Sequence, residues 1–123
     1  MKLFVDDIRN APDDTWTVAR TVNSAIKAIA RFNFEVISLD HDISHQVTVG
    51  ALGRPYPCEE TFQAVAYFIG EHCRDWNITE SPKIILHTSN PVGAKEMESI
   101  LAGYGIKCDV RLTGAANRLE MEI

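Results

Sequence analysis

The chain has 123 residues, 46% of them apolar, and a formal net charge of −5. That is the size of a single domain with material for a real core, and no stretch approaches the roughly 20 apolar residues that span a bilayer. The acidic balance argues against broad binding of double-stranded DNA, which needs a basic stripe, and leaves room for one specific nucleotide or RNA end.

The first element is the apolar run Lys2 to Val5, stopped at once by Asp6-Asp7. It predicts a buried strand with acids at its C-terminal end. The run is far too short for a signal peptide, so a cytoplasmic protein without a membrane partner is expected. Asn10 to Asp14, around Pro12, is a turn signal. Trp16 to Arg20 predicts a second strand. Asn23 to Phe32 places Ala25, Ile26, Ile29 and Phe32 at helical spacing, with Thr21 or Asn23 as cap. Val36 to Leu39 predicts a third strand, again running into acids, Asp40 and Asp42.

Ile43 to Glu59 holds Gly50, Gly53, Pro55 and Pro57 and predicts a long irregular loop. Loops of this length in a compact domain commonly serve as lids. Thr61 to Arg74 resumes helical spacing through Phe62, Val65, Ala66, Ile69 and Cys73. Lys83 to Leu86 predicts a fourth strand, closed by His87-Thr88-Ser89-Asn90-Pro91. A third helix follows, with Asn90 as cap and Pro91 in its first turn. It buries Met97, Ile100, Leu101 and Tyr104 and ends at Gly103 and Gly105. Lys107 to Thr113 predicts a fifth strand. Arg118 to Ile123 alternates weakly and fits an extra C-terminal edge strand, with a short helix as the rival.

Strands alternating with helices predict an α/β domain, residues 1–123, built on a mainly parallel five-stranded sheet covered on both faces. In such sheets the site lies beyond the C-terminal strand ends. Three segments should therefore meet at one edge: Asp6-Asp7-Ile8-Arg9, Asp40-His41-Asp42 and His87-Thr88-Ser89-Asn90.

The acids dominate that edge. Asp40 and Asp42 are two apart, so in an extended segment they face the same way with His41 opposite. Two like charges about 4 Å apart cost on the order of 4 kcal/mol at an effective dielectric near 20. A crevice holding Asp6, Asp7, Asp40 and Asp42 therefore needs a cation, a shared proton or an arginine. Mg²⁺ or Mn²⁺ suits an oxygen-rich set of this kind. His41, His45 and His87 fall in or near the crevice and are candidates for proton transfer. His72, on a helix, reads as surface. No His-x-x-x-His zinc pattern occurs, and Cys58, Cys73 and Cys108 are too far apart for a metal motif.

Phosphate donors are also at hand. The helix opening at Asn90-Pro91 would aim the N–H groups of Val92, Gly93 and Ala94 at the crevice, with Thr88 and Ser89 adding hydroxyls. Arg9 could neutralise the acids or grip a phosphate by its planar fork. Arg54 and Tyr56, in the long loop, could stack on a base or simply pack the loop.

Leu3-Phe4-Val5-Asp6-Asp7-Ile8-Arg9, Pro12 and Trp16, Ser38-Leu39-Asp40-His41-Asp42 and His87-Thr88-Ser89-Asn90-Pro91 together resemble the receiver-like domain named for cyclic-phosphate processing. The likeness spans nearly the whole chain. It implies a flavodoxin-like, receiver-like three-layer sandwich and a role with cyclic phosphates of nucleotides or RNA ends. Against response-regulator receivers, Asp40 falls at the phospho-accepting position and Thr88 or Ser89 at the hydroxyl position. The fifth strand, Val110-Arg111-Leu112-Thr113-Gly114, lacks the receiver lysine, and the first connection is too short for a normal first helix. Both departures count against phosphorelay signalling, and the extra His41 and His87 fit hydrolytic chemistry better than a phosphorylation switch.

The leading expectation is a metal-dependent phosphoesterase. Asp6, Asp40 and Asp42, with Asp7 as a further candidate, hold Mg²⁺ or Mn²⁺. His41 or His87 moves a proton, and Arg9 with the Ser89 to Gly93 segment binds phosphate. The alternatives are a non-catalytic nucleotide or RNA-end binding domain and a degenerate receiver module. The oligomeric state stays open, a homodimer included.

Overall fold

The structure is a computed structural model that describes residues 1–42, 47–49, 55–57, 61–73 and 82–112. Five strands form one sheet: β1 (Lys2–Val5), β2 (Trp16–Ala19), β3 (Val36–Leu39), β6 (Lys83–Thr88) and β7 (Cys108–Leu112). Their order is β2-β1-β3-β6-β7 and every neighbouring pair is parallel. The order is that of the flavodoxin-like doubly wound sheet.

Parallel strands need long return connections, which helices normally supply. Here β2 returns to β3 through α1 (Val22–Arg31), β3 to β6 through α2 (Gln63–Cys73), and β6 to β7 through α3 (Pro91–Ala102). The connection from β1 to β2 carries no helix, as its length predicts. Thr21 and Ser24 start α1 as a reciprocal capping pair: Thr21 Oγ1 accepts the Ser24 N–H at 3.0 Å, and Ser24 Oγ accepts the Thr21 N–H at 3.2 Å. Asn90 starts α3 by accepting the Gly93 N–H at 3.0 Å, with Pro91 in the first turn.

Alternation along the strands sorts the side chains by face. Leu3, Val5, Ile37, Leu39, Ile84 and Leu86 point to one face. There they pack with Ala25 and Ile29 of α1, Val65, Ala66 and Ile69 of α2, and Met97 and Leu101 of α3 in a single buried cluster. Phe4, Ser38 and Ile85 lie in register on the opposite face, where Phe4 meets Trp16 edge to face at 6.0 Å between ring centroids. Among the described residues that second face carries no helix, although Phe4, Ser38 and Ile85 are fully buried. No helix among the described residues is long and apolar enough to cross a membrane.

Two local expectations change. The stretch 43–59 is not wholly irregular: β4 (Val47–Val49) pairs antiparallel with β5 (Pro55–Pro57). Three-residue strands carry too little alternation to be seen in sequence, and two prolines in β5 argue against a strand until it is recognised as an edge. The fourth sheet strand, β6, also runs two residues beyond its predicted end, through His87 and Thr88. His45, Arg54, Cys58, Trp76 and the predicted terminal strand 118–123 lie outside the described residues.

Candidate functional site

Strand β1 is the point where the chain turns first to β2 on one side and then to β3 on the other. A crevice opens at such a switch point, outside the C-terminal strand ends. Asp6 follows β1 and Asp40 follows β3, so the two acids flank it. The backbone fixes them there: Asp6 donates its N–H to the Ala19 carbonyl at 3.1 Å, and Asp40 donates to the Val5 carbonyl at 2.9 Å.

His87 enters from the sheet face because β6 extends that far. Its ring lies flat on Phe4, 4.5 Å between centroids and 6° from parallel. Nε2 is 2.9 Å from Asp6 Oδ2 and Nδ1 is 2.6 Å from Ser38 Oγ. Ser38, His87 and Asp6 are all fully buried. An ionised carboxylate only accepts, so Nε2 carries the proton toward Asp6. Nδ1 of the neutral ring then accepts the Ser38 hydroxyl. Ser38 was missed from sequence, although a lone polar residue inside the buried run Val36-Ile37-Ser38-Leu39 is a signal that could have found it.

Asp6 is the hub of the crevice. Its Oδ1 accepts the backbone N–H groups of Ile8 at 3.0 Å and Arg9 at 2.9 Å. The Arg9 guanidinium bridges the two acids, with Nη1 3.3 Å from Asp6 Oδ2 and 3.5 Å from Asp40 Oδ2. Arg20 donates to the carbonyls of Asp6 at 3.2 Å and Arg9 at 2.5 Å and so ties down the turn after β1.

These contacts drive the two acids apart in acidity. Burial raises Asp6, but the hydrogen bonds from His87 and from the Arg9 and Ile8 backbone outweigh it and hold the carboxyl at about 2. Burial and then the Asp6 charge push Asp40 up to about 7, against the His41 N–H, Arg9 and the Thr88 hydroxyl. Burial lowers His87 more than Asp6 raises it. At neutral pH the crevice thus holds one firmly ionised carboxylate and one that shares its time with a proton.

One donor atom each from Asp6, Asp40 and His87 lies within 4.8 Å of the others, a grouping that fits a metal ion. A metal on Nε2 would require the other tautomer, in which Nδ1–H donates to the Ser38 hydroxyl as the second partner that a metal-bound imidazole usually has. Asp7 is buried but stands outside this group.

Asp42 also stands outside it, contrary to what its spacing from Asp40 predicts. The chain leaves the strand after Leu39, and Asp42 makes an isolated antiparallel bridge to Thr61. Its carboxylate accepts His41 Nδ1 at 2.6 Å and Asn90 Nδ2 at 3.3 Å. His41 Nε2 in turn meets Gln63 Nε2 at 3.0 Å, and the same amide reaches Glu96 at 3.2 Å. Both His41 nitrogens are therefore engaged, on the side of α2 and α3. The His41 ring also covers Gly93 so closely that a Cβ there would collide with it.

The expected phosphate cradle at the start of α3 is largely spent. The Gly93 N–H goes to Asn90 Oδ1, and the Ala94 N–H goes to the Asn90 carbonyl at 2.9 Å. Thr88 is buried, with Oγ1 accepting the Asn90 N–H at 3.1 Å, whereas Ser89 is exposed. Arg54 lies outside the described residues, and Tyr56 sits on β5 opposite Thr48.

The comparisons with known proteins bear on the family and the fold. No curated protein gives a match. A family model described as the cyclic-phosphate processing receiver domain matches residues 1–103. The matched span contains β1 through α3 and every residue of the crevice; β7, just beyond it, completes the sheet. With its receiver-like sheet and its acids at the switch point, the chain belongs to the cyclic-phosphate processing receiver domain family.

Proposed function

We propose that this domain is a metal-dependent phosphoesterase that opens a cyclic phosphate on a nucleotide or an RNA end. The observation that carries the reading is the buried Asp6–Asp40–His87 group at the switch point, with Arg9 beside it. Those three side chains would hold Mn²⁺ or Mg²⁺. The imidazole favours Mn²⁺, since Mg²⁺ prefers oxygen donors alone. Such a cation, when bound, polarises a phosphoryl oxygen and makes water more acidic.

The protein's own groups hold the phosphate. Arg9 supplies a planar fork for non-bridging phosphate oxygens. Asp6 and its backbone turn keep that arginine at the crevice. Opening the ring breaks one P–O bond, and the departing oxygen needs a proton. His87 Nε2 and Asp6 are spent as donors to the ion and Nδ1 is held by buried Ser38, so the departing oxygen takes its proton from water. His41 faces α3 and serves to position Asp42 and the start of that helix.

A receiver that accepts a phosphoryl group on Asp40 is the second reading, favoured by the Thr88 hydroxyl on Asp40. One panel separates the two. The protein is incubated with cyclic nucleotides and cyclic-phosphate RNA ends in Mn²⁺, Mg²⁺ or chelator, and separately with acetyl phosphate. Turnover that needs metal and disappears in Asp40→Asn supports the esterase. Labelling of Asp40 without turnover supports the receiver, and tight binding alone supports a capture domain.

A further inference from the structure

Arg9 Nη1 lies between Asp6 Oδ2 and Asp40 Oδ2, at 3.3 and 3.5 Å. These belong to the carboxylates that, with His87, group as metal donors. A divalent ion needs its oxygens at about 2.0 to 2.2 Å, so it and the guanidinium would claim the same space between the acids. Their like charges add repulsion. The Arg9 backbone, by contrast, is pinned on both sides. Its N–H is accepted by Asp6 Oδ1 at 2.9 Å and its carbonyl accepts Arg20 Nη1 at 2.5 Å. Its side chain is 18% exposed, at the mouth of a crevice whose acids are almost wholly buried. The side chain can therefore leave the acids without the turn moving.

We propose that Arg9 is a placeholder cation: it neutralises Asp6 and Asp40 in the metal-free protein, is displaced when a divalent ion binds, and then clamps a phosphate oxyanion beside that ion. The proposal rests on the metal reading given above. It adds that metal loading and phosphate affinity are coupled through one side chain, so that the free protein holds phosphate esters weakly. Arg20 does not share the role, because it stays on the two backbone carbonyls.

The test uses Mn²⁺ alone and then inorganic phosphate, titrated calorimetrically into the wild-type chain and Arg9→Gln. Arg9→Gln should bind Mn²⁺ at least five-fold more tightly and, once saturated with Mn²⁺, bind phosphate at least five-fold more weakly. Mn²⁺ affinity that is unchanged or lower in Arg9→Gln overturns the placeholder role and leaves the metal reading standing. Phosphate affinity that is unchanged overturns the clamp. Absence of Mn²⁺ binding in both proteins overturns this proposal together with the metal reading. Should Arg9→Gln fail to fold, the wild-type chain carries the test by NMR. The Arg9 side-chain Nε–H signal should move as Mg²⁺ is added, and a static Arg9 signal alongside shifting Asp6 and Asp40 amides overturns the proposal. If none of these signals moves with Mg²⁺ and none broadens with Mn²⁺, the metal reading falls with it.

Discussion

Asp40 and Asp6 are neighbours with opposite linkage to folding. Asp40 is raised to about 7 from 3.8, so the folded protein binds this proton more tightly than the unfolded chain. The stability that Asp40 contributes to the metal-free protein should therefore fall as pH climbs from about 4 to about 7 and level off above that. Asp6 is held at about 2. Its contribution should be present above about pH 4 and lost as pH falls toward 2. Burial also depresses His87, whose contribution is lost as pH falls below about 6.5 and opposes the Asp40 trend there. The test is therefore differential: in urea denaturation across pH 2 to 8 in chelator, Asp40→Asn should remove the part of the profile that falls between about pH 4 and 7 while keeping the rise above pH 2. An Asp40→Asn profile that still falls above pH 4 would show that another group is responsible. Much of this pair was legible in sequence, since acids at two strand ends predict a charged crevice. His87 falls at that edge in the sequence reading as well, as a proton carrier. Its place among the metal donors was not legible, because the predicted strand stops just short of it and leaves the direction of its ring undefined.

At the scale of elements, α3 is anchored by a cap and by a missing side chain. Asn90→Ala removes the acceptor for Gly93 N–H and the donor to Asp42. Loss of the cap alone costs about 1 kcal/mol, measurable by chemical denaturation. Gly93→Ala should cost about 1 to 3 kcal/mol, the range for forcing a methyl into a filled site, because its Cβ meets the His41 ring. His41→Ala in the same chain should recover part of that loss, and strictly additive losses would refute the contact. Gly70 in α2 makes the same point against the Tyr104 ring. Alanine is the better helix former, yet Gly70→Ala should lower the melting temperature. The cap at Asn90 could be read from Asn-Pro at a helix start. The donors that it consumes could not, because a helix N-terminus looks identical in sequence whether it faces a ligand or its own cap.

For the whole molecule, a divalent ion at the switch point would tie the ends of β1, β3 and β6 together. Those strands come from widely separated parts of the chain. A ligand that binds only the folded state stabilises by about 2.7 kcal/mol at one hundred times its dissociation constant. Mn²⁺ at that excess should accordingly raise the melting temperature, chelator should reverse the gain, and Asp6→Asn should remove it. Because Asp40 must lose its proton to bind the ion, the gain should grow as pH passes through about 7. An equal gain at pH 5.5 and 8 would argue against Asp40 as a ligand.

The periodicity of the chain determined the five-strand α/β pattern, the helix-free first connection and the placing of acids at strand ends. Those are local consequences of apolar spacing and turn chemistry, and each is written in a few consecutive residues. Tertiary structure decided which acids meet. Asp42 has the right spacing to join Asp40, but the chain turns at His41 and hands its carboxylate to Asn90. His87 and Ser38, 49 positions apart, are joined because β3 and β6 pair in one register. Strand order and register arise from long-range packing, and no stretch of neighbouring residues encodes them.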